Sequence, residues 1–136
     1  MMNTRKAIYA ASLDPITNGH SWVIKQGLRL FDHLIIAIAI KPAISNKYLF
    51  SDLERVKMAK SCVGDRCSVI PIGKQYIVDF AKNLNCSHLL RGARNETDFS
   101  SETLMANINR KMALERGFDI ETIILTPPPE ISCISS

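Results

Sequence analysis

The sequence has no apolar stretch long enough to span a bilayer: its longest uninterrupted run, Leu34 to Ile40, is seven residues, against the roughly 20 that a membrane helix needs. It also lacks the apolar core of a secretory leader, because Arg5 and Lys6 give way at once to a short strand-like stretch holding Tyr9 and Ser12. No membrane partner and a cytoplasmic address are therefore expected. The four cysteines, at 62, 67, 86 and 133, form no C-x-x-C pair and no His/Cys cluster. That spacing excludes a zinc site and a redox dithiol, so no protein-held metal is expected. Basic residues outnumber acidic ones by 17 to 13, giving +4, but they are scattered rather than gathered into one stripe. This favours a phosphorylated small molecule over nucleic acid. What remains is ordinary globular material, 46% hydrophobic and 22% charged over 136 residues, with no repeat, linker or low-complexity segment and enough length for one domain with its own core.

The apolar residues come in two alternating patterns. Lys6 to Ala11 and Leu34 to Ile40 are short continuous runs, and Ile24, Leu28 and Phe31 between them stand at helical spacing. Strand, helix, strand is the reading, and branched runs of this kind suit strands buried on both faces of a parallel sheet. Ser51 with Glu54 makes a capping box that opens a second helix, whose predicted inner face is Leu53, Val56, Ala59 and Val63. Ser68 to Ile72 reads as a third strand, Ile77, Phe80, Ala81 and Leu84 as one side of a third helix, and His88 to Leu90 as a fourth strand. From Thr97 to Arg116 the series Met105, Ile108, Met112 marks a long helix closed by Gly117, and Glu121 to Leu125 a fifth strand. Right-handed crossovers then lead to an α/β fold: a doubly wound, Rossmann-like, five-stranded parallel sheet with helices on both faces.

In such sheets ligands bind beyond the carboxyl ends of the strands, and the polar residues there share a character. Ser12, Thr17, Asn18, Gly19 and His20 follow the first strand, Lys41 and Lys47 the second, Arg91 and Arg94 the fourth, and Ser132, Ser135 and Ser136 the fifth. Thr17 or Asn18 can cap the first helix and leave its start as an anion cradle, with Gly19 allowing close approach and His20 in the first turn. An incidental histidine at a surface helix start is the competing reading. Arg91 and Arg94 bracket Gly92 in a turn after the strand and are expected to face the ligand cleft. The alternative is that they pair with Glu96, Asp98 or Glu102 on the next helix. No Ser/His/Asp or Cys/His arrangement and no pair of carboxylates stands on this rim. A set of cations and donors without a nucleophile suits in-line nucleotidyl transfer, in which one phosphate attacks another.

The run Tyr9-Ala10-Ala11-Ser12-Leu13-Asp14-Pro15-Ile16-Thr17-Asn18-Gly19-His20 resembles the opening signature of bacterial phosphopantetheine adenylyltransferase, in the nucleotidylyltransferase superfamily, with Thr17 to His20 as a variant of its His-x-Gly-His motif. Leu49-Phe50-Ser51 with Glu54-Arg55, Leu90 to Arg94 with Asp98-Phe99 and Glu102, Asn109-Arg110, and Ile134-Ser135-Ser136 follow in family order. The resemblance implies transfer of AMP from ATP to 4'-phosphopantetheine, with Mg2+ bound alongside ATP, and a hexamer or other homo-oligomer. It assigns catalysis to His20 and Lys47, and ATP to Ser12, Leu13, His20, Gly92, Ala93, Arg94, Glu102, Ser135 and Ser136. The acceptor falls to Ser12, Lys47, Ile77 and Arg91.

The chain departs from the family in several places. Ala11 stands for a glycine, Leu13 for a phenylalanine, Ser100 and Ser101 for an acidic and an aromatic residue, and Ile131 for a tryptophan. A longer loop after the second strand puts the family's lysine at Asn46, so Lys47 takes the role, with Lys41 as the alternative. Residues 1–136 are expected to be a single nucleotidylyltransferase domain without the family's C-terminal helical segment; Ile134, Ser135 and Ser136 then have no helix to enter, and the segment from about Pro128 onward is expected to be poorly ordered or displaced without ligand. Two alternatives are a nucleotidylyltransferase with another acceptor or base, and a catalytically weakened nucleotide-binding homologue.

Overall fold

The structure, a computed structural model, describes residues 4–39 and 48–132. Strands and helices alternate as β1 (Lys6–Ala11), α1 (Asn18–Leu30), β2 (His33–Ala39), α2 (Asp52–Cys62), β3 (Cys67–Gly73), α3 (Ile77–Asn83), β4 (His88–Gly92), α4 (Glu96–Glu115), β5 (Glu121–Leu125) and α5 (Pro129–Ser132). The strands form one parallel sheet in the order β3-β2-β1-β4-β5. This is the doubly wound Rossmann-like arrangement expected from the alternation.

The period of two along each strand divides the core. Ala7, Tyr9, Leu34, Ile36, Ile38, Val69 and Leu90 face α1 and α2, where they meet Val23, Ile24 and Ala59. Their neighbours Ile8, Ile35, Ala37, Ile72 and Leu89 face α3 and α4, against Val78, Phe80, Ala81 and Ala113. β2 is apolar throughout because both of its faces are covered.

Two helices keep only part of their expected inner faces: Val56 and Ala59 of α2, its C-cap Val63 and Met112 of α4 pack on the core. On α2, Leu53 is 81% exposed and Arg55 is buried beside Ala59. On α4, Met105 and Ile108 lie outside, and the buried positions are Asn109 and Ala113. The reason on α4 is length: 20 residues reach about 30 Å, whereas the five residues of β5 cover about 17 Å. The helix therefore overruns the strand by about 13 Å. The expectation for the last residues is also corrected, since Pro129–Ser132 form a short helix that lies against α1. Ser132 ends that helix, and Ile134, Ser135 and Ser136 lie outside the described residues. Among the described residues no helix is long and apolar enough to cross a membrane.

Candidate active site

At β1 and β4 the chain departs to opposite faces of the sheet, into α1 from one strand and into α4 from the other. The crevice between their carboxyl ends is where such sheets hold ligands. Ser12 leaves β1 half-buried, and Leu13 then adopts φ +48°, unusual for a residue with a branched side chain. Its side chain is 1% exposed, locked into the core under α1 and α2. The Asp14 carboxylate accepts from the N–H groups of Leu49 and Phe50 at 2.7 and 2.9 Å. Ala11, at the family's glycine position, packs its methyl on the α1 and α2 side.

Thr17 is the N-cap of α1, and the cap is reciprocal. Its hydroxyl accepts from the His20 N–H, while its own N–H donates to His20 Nδ1 at 3.0 Å. A nitrogen that accepts cannot carry the ring proton, so neutral His20 holds its proton on Nε2. Burial first, and the Arg91 charge second, push the His20 pKa down to about 4. Near neutral pH the ring is therefore uncharged and presents an N–H donor, and it is a weak base. Among the described residues none accepts from the N–H groups of Asn18 or Gly19, so the positive end of α1 lies beside the ring.

Arg91 and Gly92 belong to β4 itself rather than to a following turn. The expectation that Arg91 and Arg94 face the cleft rather than the acids of the next helix is corrected by their partners. Arg91 donates through Nε and Nη2 to both Glu102 oxygens at 2.8 Å, and through Nη1 to the Ala10 carbonyl. Arg94 donates through Nε to Asp98 at 3.1 Å. The cause is that α4 begins directly after β4, so its acids lie alongside the strand end. Both arginines nevertheless differ in place. Arg91 is close enough to shift His20, and burial works against its charge but Glu102 outweighs it and holds the guanidinium above its ordinary range. Arg94 is on the surface, where its backbone N–H and guanidinium hold the Asp98 carboxyl below the usual range.

Gly92 sits against α1, where a Cβ would come within 3.1 Å of Val23. Ala93 is buried, and its N–H donates to the Leu125 carbonyl at 2.9 Å. Ser12, Leu13, His20, Arg91, Gly92 and Glu102 are thus gathered about the β1–β4 crevice. Ile77 opens α3 beyond β3, two strands away from β1. Ser100 and Ser101 are exposed on α4. Lys41, Lys47, Ser135 and Ser136 lie outside the described residues.

Two buried polar residues beside the crevice were given no role from the sequence. Tyr9 is buried below the crevice, and burial, with Glu102 adding to it against Arg91, pushes its phenol up to about 12. Arg55 is buried at the ends of β1 and β2, donating to the Ser12 and Ala39 carbonyls. Its spacing from Ala59, one helical turn, was the available signal. Among the described residues no three His, Cys, Asp or Glu side chains converge as metal ligands.

The fold recurs in solved structures. A lipopolysaccharide core biosynthesis protein from Thermoplasma volcanium superposes with a TM-score of 0.68 at 11% identity, over 93% of this chain and 99% of that one. Pantoate-beta-alanine ligase from Francisella tularensis, complexed with beta-gamma ATP and beta-alanine, gives 0.61 at 11% identity over 94% of this chain. The pantothenate synthetase from Thermus thermophilus gives 0.59 at 10% over 93%. The chain spans 61% and 56% of those two enzymes. Sequence adds what these likenesses leave open: the profile described as cytidylyltransferase-like matches residues 8–136, from inside β1 through the whole crevice and beyond. The chain belongs to the cytidylyltransferase-like family of the nucleotidylyltransferase superfamily.

Proposed function

We propose that this chain transfers AMP from ATP to 4'-phosphopantetheine, giving dephospho-coenzyme A and pyrophosphate in the cytoplasm. An ionised phosphate oxygen of the acceptor attacks the α-phosphorus of ATP, the bond from that phosphorus to the bridging oxygen breaks, and pyrophosphate leaves. No proton has to be removed, so the reaction needs no strong base. The observation that carries the reading is the His20 ring, kept neutral by burial and oriented by the Thr17 N–H so that Nε2–H is a fixed donor beside the start of α1. Such a donor answers the charge that builds on the α-phosphate oxygens in the transition state.

The roles of the remaining residues rest on the resemblance. Ser12 and Arg91 meet the acceptor phosphate, with Arg91 shifting from Glu102 toward it, and Ile77 meets the pantetheine arm. Leu13, Gly92, Ala93, Arg94, Glu102, Ser135 and Ser136 meet ATP, and Lys47 takes part in catalysis. Magnesium enters on the triphosphate as MgATP, held by phosphate oxygens. The exposed Leu104, Met105, Ile108 and Leu114 on α4 supply apolar surface for assembly of several copies. The family's description favours one second reading, a transferase that uses CTP or another acceptor. Pyrophosphate release measured with ATP and with CTP, each with and without 4'-phosphopantetheine, separates the two. The proposed reaction requires release that depends on both ATP and the acceptor. Release with CTP alone among the nucleotides moves the assignment to the second reading.

A further inference from the structure

Arg55 is the largest fully buried side chain among the described residues, 1% exposed. A guanidinium is expensive to bury, and an apolar side chain of similar volume would serve packing alone more cheaply. The position therefore asks what the charge and the fork accomplish. The β1–β2 ladder ends at Ala11 opposite Ile38, and the register of β2 on β3 shifts between Ile38 and Ala39. The next carbonyls, of Ser12 and Ala39, are where the strands part. Arg55 Nη1 donates to both, at 2.9 and 3.1 Å. Nη2 donates to Asp52 at 2.7 Å, and the guanidinium lies over the Tyr48 ring at 4.1 Å. The third donor, Nε, is buried with no hydrogen-bond partner, a cost that packing does not explain.

Two anchors therefore run from the start of α2 to the turn that ends at His20: Arg55 on the Ser12 carbonyl, and the Leu49 and Phe50 N–H groups on Asp14. We propose that Arg55 is a positioning residue, which touches no substrate but fixes the Ser12–His20 turn against the end of β2 and thereby aims His20 Nε2–H. This rests on the transferase reading above, in which that N–H acts on the α-phosphate.

The test compares wild type, Arg55→Met and Arg55→Lys by imidazole nitrogen NMR of the ligand-free chain and by turnover and KM for ATP. Wild-type His20 is expected to show the single Nε2–H tautomer. Folded variants are expected to show mixed tautomers and turnover lowered about tenfold or more, the scale of a small misplacement, with KM for ATP nearly unchanged. Lysine recovers only part, because one ammonium cannot span both carbonyls and Asp52 in the fork's geometry. A purely structural arginine would lower the melting temperature and leave tautomer and turnover alone. Wild-type turnover or an unshifted tautomer in either folded variant overturns the proposal, and if Arg55→Met does not fold, Arg55→Lys decides. An inactive wild type removes the transferase reading, and the tautomer, which needs no substrate, then decides the role of Arg55 alone.

Discussion

At the scale of single residues, His20 is held by two interactions that act in opposite senses on its chemistry. The Thr17 N–H fixes which nitrogen carries the proton, and burial removes the charge that would make the ring a stronger anion binder. The result is a donor whose worth lies in geometry. His20→Ala should therefore lower kcat about a hundredfold, on the order of 3 kcal/mol, and change ATP affinity little. Turnover within a few-fold of wild type would remove His20 from the mechanism. The same burial makes a stability prediction. The unfolded chain protonates His20 below 6.5, the folded chain only below about 4. Between those values the unfolded state binds the extra proton, so stability falls as pH drops through this window. The full effect is about 3 kcal/mol. Urea unfolding of wild type and His20→Ala from neutral pH down to about 4 should show this loss in wild type alone, and parallel curves would contradict it. What the sequence disclosed at this scale was local chemistry. Thr17 and His20 are neighbours in the chain, so cap and donor were legible there. The pairing of Arg91 with Glu102, 11 residues on, was one of two readings, and choosing between them needed the third dimension, because its formation depends on how α4 leaves β4.

Elements were legible where their signals are short-range. The strand Glu121–Leu125 and the helix start at Ser51 appear where composition and the capping box put them. The inner faces of α2 and α4 were legible in part: Val56, Ala59, Val63 and Met112 pack as expected, but periodicity did not show which flanking positions lie over the sheet. Leu53 and Arg55 are two residues apart, about 200° around the helix, and the sheet end took the arginine. The α1 interface carries the clearest test at this scale. Gly27 is buried where α1 crosses the sheet, and an added Cβ would lie 2.5 Å from Leu90 Cδ2 and 3.0 Å from Leu34 Cδ1. Both leucines are fully buried and have little room to yield. Gly27→Ala should gain about 1 kcal/mol of helix propensity but lose about 2 to 3 kcal/mol to overpacking. Net destabilisation of about 1 to 2 kcal/mol is expected in denaturant unfolding. A more stable variant would mean that α1 does not pack so closely.

For the whole molecule, the strand order is what converts an ordinary two-faced core into a site. Placing β1 beside β4 makes the crossovers that follow these two neighbouring strands leave on opposite faces, and the crevice opens where Ser12, His20 and Arg91 emerge. The fold persists at 10 to 11% identity in the solved structures, because it needs only apolar alternation and short crossovers. Fold class was therefore legible from pattern alone, whereas the acceptor was suggested only by resemblance of particular residues. The most direct test of the account is to incubate the chain with MgATP and 4'-phosphopantetheine and identify the products by mass spectrometry alongside a pyrophosphate assay. The account predicts dephospho-coenzyme A and pyrophosphate in equal amounts, each requiring both substrates. Unchanged 4'-phosphopantetheine in a folded, ATP-binding chain would contradict it.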